Sequence, residues 1–298
     1  MNIFAFSGAV ELGLIYAFVA IGVYLSFRVL DFPDLTVDGS FLLGSCVCGV
    51  LILLGFNAWT AMACAFCAGM VAGLLTAMLN LRFGILNLLA SILTMSALYT
   101  VNLRIMGIMG GSNVNLALAD TALTPFYNLF GLSDIFVRPL FVGIVLLVMA
   151  FLIWRFLESE IGLAMRAMGA NPRMATAQGV HTSALIYFGM GLSNACVALG
   201  GSLYIQTAIA TDITGGIGTI VFGLAAVIIG ETLFRTRNIF WIIISCIVGS
   251  VLYRVAVQFA FEANGIGIDT STDLQFITSL LVILTLIVPR YWRRRKRD

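Results

Sequence analysis

Long apolar runs recur along the chain, separated by short polar breaks, and this rhythm predicts helices rather than strands. A run of about 20 apolar residues suits a helix that crosses a bilayer. Such runs fall at 8–28, 40–56, 58–80, 86–106, 138–157, 184–207, 216–234, 238–259 and 272–290. The pattern predicts an all-α polytopic membrane protein of about nine transmembrane helices, in a single domain over residues 1–298. It lacks the short alternating segments of a β-barrel. No basic stretch precedes the first run and no small-residue cleavage site follows it, so it reads as a retained helix.

Composition agrees. Of 298 residues, 61% are hydrophobic and only 10% charged, where a soluble domain carries roughly a quarter charged. The chain has too little polar surface to cover itself in water. All six cysteines fall inside apolar runs. Cys64 and Cys67 form a C-x-x-C, but with no histidine or second pair beside it the motif reads as small apolar packing.

Charge placement sets an orientation. With the C-terminus cytoplasmic and the N-terminus outside, Arg28, Arg82, Arg155, Arg166, Arg173, Arg235, Arg237 and the tail residues 290–297 fall on the cytoplasmic side. That is about 13 of the 16 basic residues. The opposite loops, 107–137, 208–215 and 260–271, hold Asp120, Asp134, Asp212, Glu262 and Asp269 and no basic residue. The tail 291–298, with Tyr291 and Trp292 beside its basic run, fits an interfacial anchor rather than a nucleic-acid patch. Loop 107–137 mixes Gly, Pro and aromatics, which suggests a short interfacial helix or a docking surface.

Polar groups inside a bilayer are costly and therefore informative. In "VLDFPDLTVDGSFLLG", 29–44, three carboxylates, Asp31, Asp34 and Asp38, interrupt two helices, and Pro33 disfavours continuing a helix through it. Asp34 or Thr36 can cap the helix that restarts there. Residues 31–44 are thus either a broken, re-entrant segment lining a pathway or a capped loop at the membrane face. Asp34, Thr36 and Asp38 are pathway candidates on the first reading. Tyr99 and Asn102, three apart on the fourth span and expected to share a face, are further candidates, with Tyr204 and Gln206. Glu231, near the end of an apolar run, has Arg235 one turn later as a possible partner. "GMVAG" at 69–73 reads as a helix contact.

No catalytic or metal-ligating constellation is visible. The chain has one histidine, His181, and one lysine, Lys296 in the tail. A phosphate-binding Walker A loop needs its lysine after a Gly-rich turn, so ATP-driven transport would need an ATPase on another chain. A stand-alone secondary transporter or channel using Asp31, Asp34, Asp38 and Glu231 is the competing reading. An intramembrane enzyme lacks the required residue pairs.

One polar segment, "AMRAMGANPRMATAQGV" at 164–180, stands between two apolar runs. With it, the chain resembles a permease subunit of an ATP-binding-cassette importer, in the family that includes branched-chain amino acid and ribose permeases. "DFPDLTVDGSFLLG" at 31–44, "GLAMRAMGANPRMATAQGV" at 162–180 and "GLAAVIIGETLF" at 223–234 carry the resemblance. "GVYLSFRVLDFPDLTVDGSF" and "LASILTMSALYTVNLRIMG" are most similar to the tryptophan/tyrosine-type permeases.

The resemblance implies a bacterial cytoplasmic (inner) membrane location. It implies a permease homodimer in membrane lipid, a separate ATPase that binds ATP and Mg, and an extracytoplasmic solute-binding protein. No cofactor and no nucleic acid would be bound by this chain. Residues 158–183 would be the cytoplasmic coupling segment, with Met165, Arg166, Met168, Gly169, Ala170, Asn171, Pro172 and Arg173 meeting the ATPase; Met174 would add a further apolar contact. The solute implied is an aromatic amino acid.

Overall fold

The computed structural model describes residues 3–117, 119–126, 134–234, 236, 238–263 and 283. Eight of the nine expected runs are helical: α1 (Ile3–Val23), α2 (Val37–Leu53), α3 (Ala58–Phe83), α4 (Asn87–Gly107), α5 (Asp134–Glu158), α8 (Thr182–Ala208), α9 (Thr219–Leu233) and α10 (Ile239–Ala263). The ninth run, 272–290, lies outside the described residues save Ile283, as does the tail 291–298. A π-helical turn, Tyr24–Val29, continues α1. Two short helices, α6 (Glu160–Ala170) and α7 (Pro172–Ala177), fill the polar segment.

Six of these helices are long and apolar enough to cross a membrane, and α2 and α9 are shorter. The chain is a multi-pass membrane protein.

Local chemistry sets the helix ends. The Trp59 amide donates to Asn57 Oδ1 at 3.1 Å, capping α3, and Gly84 ends it in the left-handed region at φ 68°. Ser159 accepts from the Gly162 amide at the start of α6, and Asn171 from the Met174 amide at the start of α7, where Pro172 takes the first position.

One expectation needs amending. The fold is not wholly helical, because β1 (Asn113–Asn115) pairs antiparallel with β2 (Ala210–Asp212), Val114 opposite Thr211. This short ladder ties together the two loops that charge placement put on the same side. Three-residue strands are too short to show an alternating pattern.

The core forms where α2, α3 and α8 cross. A Cβ on Gly44 would lie 1.9 Å from the Ala198 carbonyl oxygen, and one on Gly201 1.9 Å from that of Phe41. Gly69 and Gly73, the two ends of "GMVAG", lie against the α8 backbone at Asn194 and Met190. Without a hydrophobic drive between helices in lipid, such close approach and interhelical hydrogen bonds supply the association. The Ser45 hydroxyl donates to the Gly201 carbonyl at 2.8 Å, Ser193 to Gly22 at 2.7 Å, and Ser250 to Gly13 at 2.7 Å. Thus glycines at which two backbones meet also receive a hydroxyl from the neighbouring helix.

Candidate functional site

Between the π turn and α2, residues 30–36 form an irregular, mostly buried connection through the helices. At one end, the Val29 carbonyl lies against Gly169 of α6. At the other, Asp34 reaches Asn194, near the middle of α8. The segment therefore climbs from the α6–α7 end of the molecule into its interior, where α2 begins. Asp31, inside the break, adopts φ 54°, an uncommon value for a residue with a side chain.

Buried polar groups need partners, and those of the break have them. The Thr36 amide donates to Asp34 Oδ1 at 2.9 Å. Asn194 Nδ2 donates to Asp34 Oδ2 at 2.7 Å, while Ser40 donates to Asn194 Oδ1 at 2.7 Å. Thr36 and Thr76 share a hydrogen bond of 2.9 Å. Asp34, Thr36, Ser40, Thr76 and Asn194 are all fully buried. Neither Asp34 nor Thr36 caps α2 with its side chain; Asp34 instead makes a tight turn just before it.

Asp38 has a different task. Its Oδ1 accepts from the Ile220 amide at 2.7 Å and the Thr219 hydroxyl at 2.8 Å, and its Oδ2 from the Gly218 amide at 3.0 Å. It lies in the first turn of α2 and caps α9, so the N-termini of both short helices converge on one carboxylate. The α9 end contributes orphan amides, and both helices direct a positive dipole end toward the charge.

The other pathway candidates separate. Asn102 is buried, donating to the Gly39 carbonyl at 3.2 Å, whereas Tyr99 is half exposed, so the two do not share an environment. A three-residue step leaves two side chains about 60° apart around a helix, enough here to put Asn102 on α2 and Tyr99 outside. Gln206 is buried; it accepts from the Ala122 amide at 3.0 Å and donates to the Ser202 carbonyl. Tyr204 remains half-buried, its ring 5.6 Å from that of Phe41.

In the polar segment, Met165 and Met168 are buried and Gly169 is pressed on Val29, so these three face their own chain. Arg166 is half-buried, and its Nε has no hydrogen-bond partner among the described residues. Ala170, Asn171, Pro172 and Arg173 are exposed, with Ile161, Leu163 and Met174 beside them. The amphipathic α6 thus offers one face to the bundle and one outward.

Glu231 pairs with Arg28 of the π turn, joining α1 to α9. Its expected partner Arg235 lies outside the described residues. Cys64 and Cys67 are exposed on α3 rather than packed inside, and no group of ligating side chains suited to a metal ion occurs among the described residues.

Sequence reasoning missed Asn194, Ser40 and Thr76, which are lone polar residues in apolar runs. It also passed over Arg254, whose signal was a single charge within the run 238–259.

Comparison with known proteins matches residues 6–288 to the family described as branched-chain amino acid transport system / permease component. A tyrosine transport system permease protein of Clostridioides difficile is 35% identical over 275 residues, covering 92% of this chain and 87% of that protein. The nucleoside ABC transporter permease protein NupC of Lactococcus lactis is 28% identical, covering 74% of each. Among solved structures, PsaBC from Streptococcus pneumoniae in complex with Fab superposes with a TM-score of 0.53 at 14% identity, covering 96% of this chain and 94% of that one. That likeness is one of fold.

Proposed function

We infer the function from one premise: this chain belongs to the family of branched-chain amino acid transport system permease components. It is the permease component of an ATP-binding-cassette transporter. It carries an aromatic amino acid inward, received from an extracytoplasmic binding protein, across a bacterial inner membrane. The observation that carries the solute is the 35% identity to a tyrosine transport permease over most of both chains.

The N-terminus is outside and the C-terminus cytoplasmic, which puts α6 and α7 in the cytoplasm. ATP and Mg are bound by a partner ATPase seated on these helices, chiefly on Arg173, Met174, Asn171 and Pro172, whose exposure supports that role. Met165, Met168 and Gly169 act behind this face by fixing α6 to the π turn. When the ATPases close, α6 moves, and Val29 transmits the shift to residues 30–36 and to the junction of α2 with α9. This is a rigid-body transition driven from one end. Two permease copies flank the pathway, and the exposed Leu75, Leu89, Leu93, Leu147 and Phe151 meet lipid.

A stand-alone carrier gains no support here, because Asp34 and Asp38 are committed to structural hydrogen bonds. The experiment is co-purification of the tagged chain with its partner ATPase. The wild-type chain retains the ATPase, and Arg173→Glu with Met174→Asp releases it without loss of folded permease. Retention by the double variant would remove the coupling assignment.

A further inference from the structure

We propose that Arg254, Tyr16, Tyr204 and Phe222 form a binding site for the solute itself, one that takes an α-amino acid zwitterion with an aromatic side chain. The proposal rests on the aromatic amino acid reading above and assigns it a place in the chain. Its basis is a group of rings contributed by five helices. The Tyr16 ring (α1) stacks on Phe41 (α2) at 5.8 Å and 12°, and lies 5.1 Å from Phe222 (α9). Phe41 also meets Tyr204 (α8) at 5.6 Å, and Phe222 meets Tyr253 (α10) at 5.6 Å. The Arg254 guanidinium carbon sits over both Tyr16, at 5.5 Å, and Phe222, at 5.8 Å.

Burial differs across the group. Phe41 and Tyr253 are buried, while Tyr16, Tyr204, Phe222 and Arg254 are each half-buried. The half-buried members carry the polar groups. Among the described residues Arg254 has no carboxylate within ion-pair distance, whereas Arg28 of the same chain has Glu231. Nor do the Tyr16 and Tyr204 hydroxyls hydrogen-bond to any described residue, while neighbouring serines and threonines do so.

A charge held in an apolar span without an anion is costly, and such residues sit where they face a pathway or a ligand. Cation–π contact supplies part of the compensation. A guanidinium fork leaves room for the remainder, because it binds a carboxylate in bidentate fashion. The phenol oxygens accept from an ammonium group. The flanking ring faces take a flat apolar side chain, preferring offset or edge-on contacts. Aromatic side chains with a few convergent polar groups are the usual lining of a small-molecule site.

The position fits transport. Phe41 lies one turn beyond Asp38 in α2, and Phe222 one turn into α9, the helix Asp38 caps. A shift at the α2–α9 junction therefore moves two of the rings, Phe41 and Phe222, relative to Tyr16 and Arg254. Gly13 permits this arrangement, since a Cβ there would lie 2.8 Å from the Val251 backbone and 3.5 Å from Arg254 Cβ.

The test is saturation-transfer NMR on the full chain in lipid nanodiscs, with L-tyrosine and tyramine as probes. Wild type should give L-tyrosine a signal at least fivefold stronger than tyramine, which lacks the carboxylate. Arg254→Gln should abolish that preference, and Arg254→Lys should keep part of it. Equal signals for the two probes on wild type, a comparison that needs no variant, would overturn the site, as would an unchanged preference in Arg254→Gln. ATP-driven uptake by the assembled transporter separates the two levels of inference. Aromatic amino acid uptake that is unchanged in Arg254→Gln sinks the site and leaves the function standing. A wild-type transporter that moves no aromatic amino acid sinks both.

Discussion

Asp38 caps the helix that begins at Thr219: one carboxylate oxygen takes the Ile220 amide at 2.7 Å and the Thr219 hydroxyl at 2.8 Å, across 181 residues of sequence for the latter. The charge also stands in the first turn of its own helix, so it stabilises two N-termini at once. Asp38→Ala should destabilise the purified permease by about 2 kcal/mol, the upper range for loss of a cap. Asp38→Asn keeps one acceptor and should cost less. Thermal unfolding in detergent checks the order, and equal melting of all three proteins would contradict it.

Asn194 Nδ2 donates to Asp34 Oδ2, and its other amide atom serves Ser40. Asn194→Ala strands a fully buried carboxylate oxygen and a buried hydroxyl. A loss of about 3 kcal/mol is expected, because unsatisfied buried groups retain their desolvation penalty. Thr76→Val removes two neutral hydrogen bonds, to Thr36 and to the Ala72 carbonyl, and should cost about 1–2 kcal/mol. The same unfolding assay reads both, and the reverse ranking would refute this account of the network.

How much of this was legible in the sequence follows from the range of each interaction. Helix bounds were legible because Asn57, Gly84, Ser159 and Pro172 act on neighbours within a few residues. The break at Pro33 was visible for the same reason, as was the "GMVAG" contact, whose small residues recur at helical spacing. The partner of Asp34 is 160 residues away and that of Arg28 is 203 away, and nothing local marks either. The direction in which Met165 and Met168 point depends on where the π turn lies, which composition does not encode. Arg254 was visible as a charge in an apolar run, but its ring partners, Tyr16 and Phe222, came from two other helices.

Gly169 is where the coupling segment touches the break. A Cβ there would lie 2.0 Å from the Val29 carbonyl oxygen, so Gly169→Ala must displace α6. The expected result is a transporter whose ATPase still turns over while uptake falls at least tenfold. Measuring both in one proteoliposome preparation checks it, and a fall in ATPase association alone would assign Gly169 to the docking face instead.

The Arg28–Glu231 pair is partly exposed, with side-chain exposures of 56% and 29%. Screening limits such a pair to about 1 kcal/mol or less. Glu231→Gln should therefore retain most ATP-driven uptake. Abolition of uptake with a folded, ATPase-bound permease would mean that the carboxylate takes part in transport.

The central claim is that this chain moves an aromatic amino acid only when a separate ATPase drives it. Its most direct test is uptake of radiolabelled L-tyrosine into proteoliposomes holding the permease, its ATPase and its binding protein. Uptake should require internal-facing ATP and all three proteins, and should vanish with Arg173→Glu and Met174→Asp. Tyrosine accumulation by the permease alone, driven by a proton or sodium gradient without ATP, would contradict the account.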